Sequence, residues 1–175
     1  LAATRRLFER SDLRSMTIEA ISKEAGVGKA TIYRWWANKI DLVMDACFED
    51  LLAQSNFGTV GSPVCIIADQ VARVVKAYSG TSGRMVAQLL AEAQYDRTVS
   101  QRFYEAYLSR RNCTLHSLLA QCGITDEVEQ GMVAEQIYSP IFFRLLLGHA
   151  PLDDAFAKGI QTFVTQRLKA VTLDA

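Results

Sequence analysis

The sequence predicts an all-α protein, a head of short helices followed by a larger helical body. Apolar residues recur at three- and four-residue spacing through nearly every segment, which is the helical period. No stretch shows sustained period-two alternation, so strands have no signal. The 10 Gly and 3 Pro among 175 residues stand mostly at joints between the periodic segments. Roughly nine helices are expected, with no internal repeat and no low-complexity tract.

A first helix is expected over 1–10, with Leu7 and Phe8 on its buried side. Thr17 is placed to cap a short helix over 18–25, where Ile18, Ile21 and Ala25 share a face. Gly26 ends it as a left-handed cap glycine would. A second short helix follows over 29–36. Asn38, with Asp41 three residues on, resembles a capping box opening a longer helix over 39–54. The segment SNFGTVG, 55–61, is the expected boundary, dividing the chain into 1–54 and 55–175.

Ser62 and Pro63 start the next helix, a capping hydroxyl followed by proline at the first helical position. Val64, Ile67, Val71, Val74, Val75 and Tyr78 form its apolar face, and SGTSG, 79–83, ends it. Helices over 84–95 and 99–121 come next, the second stopped by Gly123. Thr125, Asp126 and Glu127 supply a cap and first-turn acids for a helix reaching Leu147. Gly148 to Pro151 make a joint, and Asp153 or Asp154 opens a final helix to about Val171.

Half of the residues are hydrophobic and 22% are charged, the balance of a globular chain and not of a disordered one. Cys47, Cys65, Cys113 and Cys122 stand singly, with no C-x-x-C pair. Neither a zinc site nor a disulfide framework is readable, and a reducing, cytoplasmic setting is expected. No apolar run approaches the ~18 residues of a spanning helix, and no signal peptide opens the chain, so no membrane partner is expected. Leu1 already stands within a helical pattern without an initiator Met, so the native start is expected upstream.

Enzyme chemistry has little support. His116 and His149 are far apart, and neither G-x-S-x-G nor H-E-x-x-H occurs. Glu92, Asp96 and Glu105 are spaced like ordinary surface carboxylates. The run from Gly26 to Lys29 fails as a phosphate loop, since Lys23 stands where glycine is needed and Ala30 where Ser or Thr is needed. No catalytic residue, metal or cofactor is expected.

The 19 basic and 19 acidic residues cancel, which by itself argues against a nucleic-acid partner. Division by segment reverses that. Residues 1–40 hold eight basic residues against four acidic ones, and the remainder holds eleven against fifteen. The zero is a basic head on an acidic body. Within the head, two short helices joined through a glycine turn have the layout of a helix-turn-helix.

In the second of them Ile32 and Trp36 face inward, leaving Lys29, Ala30, Thr31, Tyr33 and Arg34 largely outside. Small residues near the helix start let its backbone approach a major groove. Lys and Arg can reach guanine edges or phosphate, and a Thr or Ala methyl can meet a thymine methyl. Tyr33 and Trp35 can donate to phosphate oxygens, and Lys39 can join its helix's first amides on a phosphate.

The segment MTIEAISKEAGVGKATIYRWWANKIDLV, 16–43, resembles the DNA-binding signature of the tetracycline-repressor (TetR) family of bacterial transcription regulators. Thr17, Ile21, Ala25-Gly26-Val27, Thr31-Ile32-Tyr33, Lys39 and Leu42 fall in register with T-(I/V)-x-x-I-A-x-x-A-G-V-(S/G)-x-x-(T/L)-(I/L/F)-Y-x-(H/Y/W)-F-x-x-K-x-x-L. Ser22 replaces the usual Ala, Trp36 the usual Phe, and Trp35 the commoner His or Tyr. The resemblance implies that Lys29, Ala30 and Thr31 meet bases or nearby backbone. It also implies phosphate contacts at Tyr33, Trp35 and Lys39, and a cap at Thr17 that touches the DNA backbone. Arg34 is added on charge and face alone.

The resemblance further implies a homodimer on a double-stranded operator, most often a repressor released by a small-molecule effector held in the body. Val133, Ile137, Ile141 and Leu145, with Phe156, Ile160, Phe163, Val164 and Leu168, are the candidates for core and dimer interface. Met85, Leu89, Phe103, Tyr104, Tyr107, Arg111 and Phe142 form an apolar, aromatic set with one cation. Tyr104, Tyr107 and Arg111 are the candidate ligand residues. The rival readings are an all-helical small-molecule-binding protein or enzyme not acting on DNA, and a protein-interaction module.

Overall fold

A computed structural model describes the backbone of residues 1–173 and the side chains of residues 1–170; residues 174–175, the end of the expected second unit, lie outside them. The order is α1 (Ala2–Glu9), α2 (Ile18–Ala25), α3 (Lys29–Tyr33), α4 (Lys39–Ser55), α5 (Pro63–Tyr78) and α6 (Thr81–Ala93). Then come α7 (97–121), α8 (Glu127–Leu147) and α9 (Asp154–Leu173). Within α7, Tyr104–Leu108 winds as a π-helix between α-helical Arg97–Phe103 and Ser109–Gln121. No strand occurs among the described residues.

The helix ends follow from local chemistry. Thr17 Oγ1 accepts from the Ala20 amide at 3.1 Å, and Gly26 closes α2 at φ 66°, where a side chain would be strained. Asn38 Oδ1 accepts from the Asp41 amide at 2.9 Å, and Asn38 Nδ2 donates to Asp41 Oδ2. Ser62 caps α5, Asp126 caps α8 and Asp153 accepts from the Phe156 amide at the start of α9. Helix α3 is shorter than its expected span to residue 36. After Tyr33 the amides of both Trp35 and Trp36 converge on the Ile32 carbonyl at 3.0 Å, tightening the last turn.

A single apolar core runs from Phe8 in α1 to Leu168 in α9. Helix α4 is its spine, packing on α1 in the head and on α5 and α6 in the body. Its Leu42, Val43, Met44, Ala46, Cys47, Phe48 and Leu51 are all buried. Helix α9 lies along α5, while α8 packs on α7, α5 and α6. Arg167 with Glu129 at 3.6 Å, and Arg144 over the Phe156 ring at 3.8 Å, tie α8 to α9 as an antiparallel pair.

Helix α6 begins at Thr81, a turn before the expected residue 84, because Gly83 lets it start almost against the end of α5. A Cβ at Gly83 would lie 1.8 Å from the Tyr78 carbonyl oxygen. The glycine pair flanking this joint therefore belongs partly to the helix and not wholly to the turn. Gly83→Ala should be destabilising by at least about 1–3 kcal/mol, the cost of overpacking a site whose neighbour is backbone. Urea unfolding measures this, and an unchanged midpoint would mean that α5 and α6 can separate freely.

Candidate functional site

Helix α3 and the turn after it stand on one buried residue, Ile32, which is 3% exposed. Around it Lys29, Ala30, Thr31, Tyr33, Arg34 and Trp35 are all exposed, forming one continuous polar and aromatic face. Trp35 is 68% exposed, far from the burial an indole ordinarily seeks, and the Arg34 guanidinium lies 5.5 Å from its ring centroid. Tyr33 is 54% exposed. Thr17 is exposed beside this face, and its oxygen serves as the α2 cap.

Lys29 Nζ donates to Glu19 Oε1 at 2.7 Å, fastening α3 to α2. The hydrogen bond and the charge of Glu19 raise the lysine pKa, and Lys29 lowers the glutamate's in return. An arriving phosphate must therefore compete with Glu19 for this ammonium. Glu24 holds both Arg6 and Arg10, which lowers its pKa and ties α1 to α2.

Lys39 is placed differently from a free phosphate donor. Its ammonium donates to the carbonyls of Leu13 at 2.7 Å, Arg14 at 3.1 Å and Met16 at 3.0 Å. An ammonium has three N–H donors, and each has a carbonyl here. A direct phosphate contact would require one of those bonds to be given up. In this structure Lys39 closes the turn between α1 and α2 and so sets where α2 and α3 begin.

Trp36 is half-buried, and its indole N–H donates to Asp45 Oδ2 at 2.8 Å. Asp45 also accepts from Arg102 Nη2 at 2.9 Å, and the same guanidinium pairs with Asp41. The head is thereby hydrogen-bonded, through α4, to α7 of the body. Two further links join head and body on the other side. The Leu13 amide donates to Gln88 Oε1 at 2.6 Å, and the Arg84 guanidinium reaches the Phe8 and Glu9 carbonyls from α6. The only sequence signal for the first link was the one-turn spacing of Asp41 and Asp45.

In the body, a cavity of about 380 Å³ is lined by Leu52, Ser55, Phe57, Gln70, Tyr107 and Arg111, with Asn56, Arg110 and Thr114 at its margins. Tyr107 and Arg111 thus come together as expected. Tyr104 does not join them. It is 54% exposed, whereas Tyr107, three positions on in the same π turn, is buried. Tyr107 stacks on Phe48 at 5.4 Å, and Phe103 meets the same ring edge-on at 5.2 Å. Met85 and Leu89 are fully buried core, not lining.

The α8–α9 pair carries an unpartnered apolar stripe. Val128, Met132, Phe143, Leu146 and Leu147 are exposed on one side of α8, and Phe163 is 45% exposed on α9. Of the residues expected there, Val133, Ile137, Ile141, Ile160, Val164 and Leu168 are buried within the chain. Leu145 and Phe156 are half-buried, and Phe163 is exposed on the outer face. The cysteines are free among the described residues, and no His, Cys, Asp or Glu cluster is placed to hold a metal. No described helix is long and apolar enough to cross a membrane.

Residues 1–46 match the family model of bacterial regulatory proteins of the tetR family, and residues 61–164, more than half of the chain, match the tetracyclin repressor-like C-terminal domain. The chain belongs to the TetR family. It is similar to the uncharacterized HTH-type transcriptional regulator YdeS of Bacillus subtilis, at 25% identity over 83% of this chain and 76% of that protein. A second relative, the uncharacterized HTH-type regulator Rv1556 of Mycobacterium tuberculosis, is 21% identical over 86% of this chain and 76% of its own. Among solved structures, the TetR-family regulator SCO0332 superposes with a TM-score of 0.72 at 23% identity, covering 95% of this chain and 93% of that one. A TetR-family regulator of Mesorhizobium loti follows with a TM-score of 0.66 at 15% identity, covering 97% and 93%. This TetR-family regulator therefore joins a helix-turn-helix DNA-binding head to a C-terminal regulatory domain.

Lys39→Ala leaves three carbonyls without their donor and should cost about 1–3 kcal/mol of stability. Denaturant unfolding of the purified chain reads this, and wild-type stability would remove the turn-closing role. Arg102→Ala should raise amide hydrogen exchange across residues 36–45 while α5 and α9 keep their protection. Equal protection throughout would mean that the Asp41–Arg102–Asp45 cluster does not fasten the head.

Proposed function

We propose that the chain is a homodimeric repressor, residues 1–54 reading DNA and 55–175 dimerising and binding a small-molecule effector that lowers operator affinity. The observation that carries the DNA-binding part is the exposed face of α3, where Lys29, Thr31, Tyr33, Arg34 and Trp35 stand together over a single buried residue. Lys29, Ala30 and Thr31 are the base-proximal side chains. Tyr33, Arg34 and Trp35 hold the phosphates on either side, and Thr17 adds a hydroxyl from α2. Lys39 acts chiefly by holding the turn that aims these groups. The reaction to DNA takes place in the cytoplasm, with no cofactor.

Two heads on a two-fold axis would read half-sites about one helical turn apart, about 34–36 Å. The exposed stripe of α8 and α9 is the surface for that axis, since a C2 contact uses one self-complementary patch on both copies. The exposed side of α9 also carries the small residues Ala155 and Gly159, which permit close helix approach. An effector in the cavity acts on α7, which carries Tyr107 and Arg111 in its middle and Arg102 near its start. A shift of α7 would reach Asp41 and Asp45, and through Asp45 the indole of Trp36, which ends the reading turn. Coupling of this kind needs an effector that binds the two head positions with different affinity.

An electrophoretic shift on DNA flanking the chain's own gene should be sequence-selective and weaken steeply with salt. Tyr33→Phe should cost about 1 kcal/mol of that binding if its hydroxyl holds a phosphate. No shift, or a salt-insensitive one, would favour a helical ligand-binding protein or enzyme that does not act on DNA. Phe143→Asp should convert a dimer to a monomer in sedimentation equilibrium; a dimer unchanged by it would place the two-fold contact elsewhere.

A further inference from the structure

We infer that the effector is a small organic anion, a carboxylate with an apolar body, whose charge is taken by Arg111. This rests on the reading of residues 55–175 as a ligand-binding domain and names the chemistry of that ligand. Arg111 Nε and Nη1 are shielded from solvent and have no hydrogen-bond partner among the described residues. The third nitrogen, Nη2, has only a 3.5 Å contact with Asn112 Oδ1, at the limit of a hydrogen bond. No carboxylate stands within ion-pair distance of the guanidinium among the described residues. The other half-buried arginines of the body, Arg73, Arg102, Arg144 and Arg167, each have a carboxylate or a carbonyl acceptor, and of these Arg73 keeps one nitrogen, Nη2, without a partner.

The position of Arg111 is fixed by packing and not by charge. Its guanidinium carbon lies over the Tyr138 ring, 3.8 Å from the centroid, and 5.9 Å from the centroid of Tyr107. Tyr138 is itself held, its hydroxyl donating to Gln70 Oε1, and Gln70 Nε2 donates to the Ser55 carbonyl at 3.0 Å. Cation–π contact holds the group by its face and leaves Nε and Nη1 without protein acceptors, so a turn of the side chain toward the cavity would give an oxyanion their N–H donors. An unpaired buried charge is costly, and an anion sharing hydrogen bonds with it removes that cost.

The cavity in front of it has the matching chemistry. At about 380 Å³ it falls within the size of small-molecule sites. Its two ionisable cations are Arg110 and Arg111, and no acidic residue lines it among the described residues. Leu52 and Phe57 supply apolar wall for a hydrocarbon or ring, and Thr114 and Asn56 supply polar margin. Phe57 and Asn56 belong to the loop after α4, and the Asn56 carbonyl accepts from Arg73 Nε at 3.0 Å, which ties that loop to α5.

The test compares acids with their neutral isosteres on the full chain, with no DNA present. Calorimetric titration with 4-phenylbutyrate and octanoate is set against 4-phenylbutanamide and octanamide, each up to about 10 mM. The carboxylates should bind at least about tenfold tighter than the amides. Arg111→Met, which keeps an apolar stem against Tyr138, should erase that difference and leave the unliganded protein no less stable in denaturant. Acid and amide binding equally, neither acid binding, or discrimination surviving in Arg111→Met would each overturn the proposal. The acid–amide comparison on the unmodified chain stands even if the variant does not fold. Since the titrations contain no operator, their failure leaves the DNA-binding result intact, and a failed operator shift leaves the titrations intact.

Discussion

The carboxylate of Asp45 accepts from two donors that belong to different parts of the molecule, the indole of Trp36 in the head and the guanidinium of Arg102 in the body. Leu13–Gln88 and Arg84 also link head and body, but this acceptor is the one that bears on Trp36, at the end of the reading turn. Asp41 strengthens it by adding a second charge to Arg102 from the same face of α4. The arrangement makes α4 a strut and α7 the element that loads it. Arg111 stands nine positions after Arg102 along continuous helix, a rise of about 13 Å. The chemistry at the cavity and the clamp on the head are thus carried by one rod, with the π turn between Arg102 and Arg111.

What the sequence made legible was local. Thr17, Gly26, Asn38, Ser62 and Asp126 act on their own helix ends, and all five do so in the structure as their residue types require. The helix-turn-helix was legible for the same reason: its glycine turn, its buried Ile32 and its exposed basic face lie within 20 residues. Contacts between distant segments left no such trace. Arg102 and Asp45 are 57 positions apart, and the reach of Lys39 to backbone carbonyls depends on no side-chain pattern at all. Helix α8 defeated periodicity differently. It is apolar on both sides, so Val133 and Met132 read alike although one is core and the other exposed. Tyr104 and Tyr107 were inseparable by spacing because the π turn between them breaks the helical register on which spacing relies.

The charge division along the chain also acquires a finer meaning. Of the head's basic residues, Arg5, Arg6, Arg10 and Lys29 pair with carboxylates, and Lys39 is engaged by carbonyls. These pairs leave the net field of the head unchanged, because that field depends on the sum of charges. They do change contact chemistry at short range, where each paired cation must exchange one anion for another. Steering toward DNA and gripping it are therefore carried by different subsets of the same residues.

Lys39 recognises the turn between α1 and α2 through carbonyl oxygens, which every residue type presents in the same place. The lysine's grip is therefore blind to side-chain identity, while the turn's own residues add to it: Asp12 and Ser15 hydrogen-bond reciprocally, and Leu13 and Met16 anchor it in the core. Arg14 is exposed, and the bond from Lys39 to its carbonyl would survive any side chain there. Part of the requirement for the shape of this turn thus sits in a side chain some two dozen positions away, where it is not exposed to change within the turn itself.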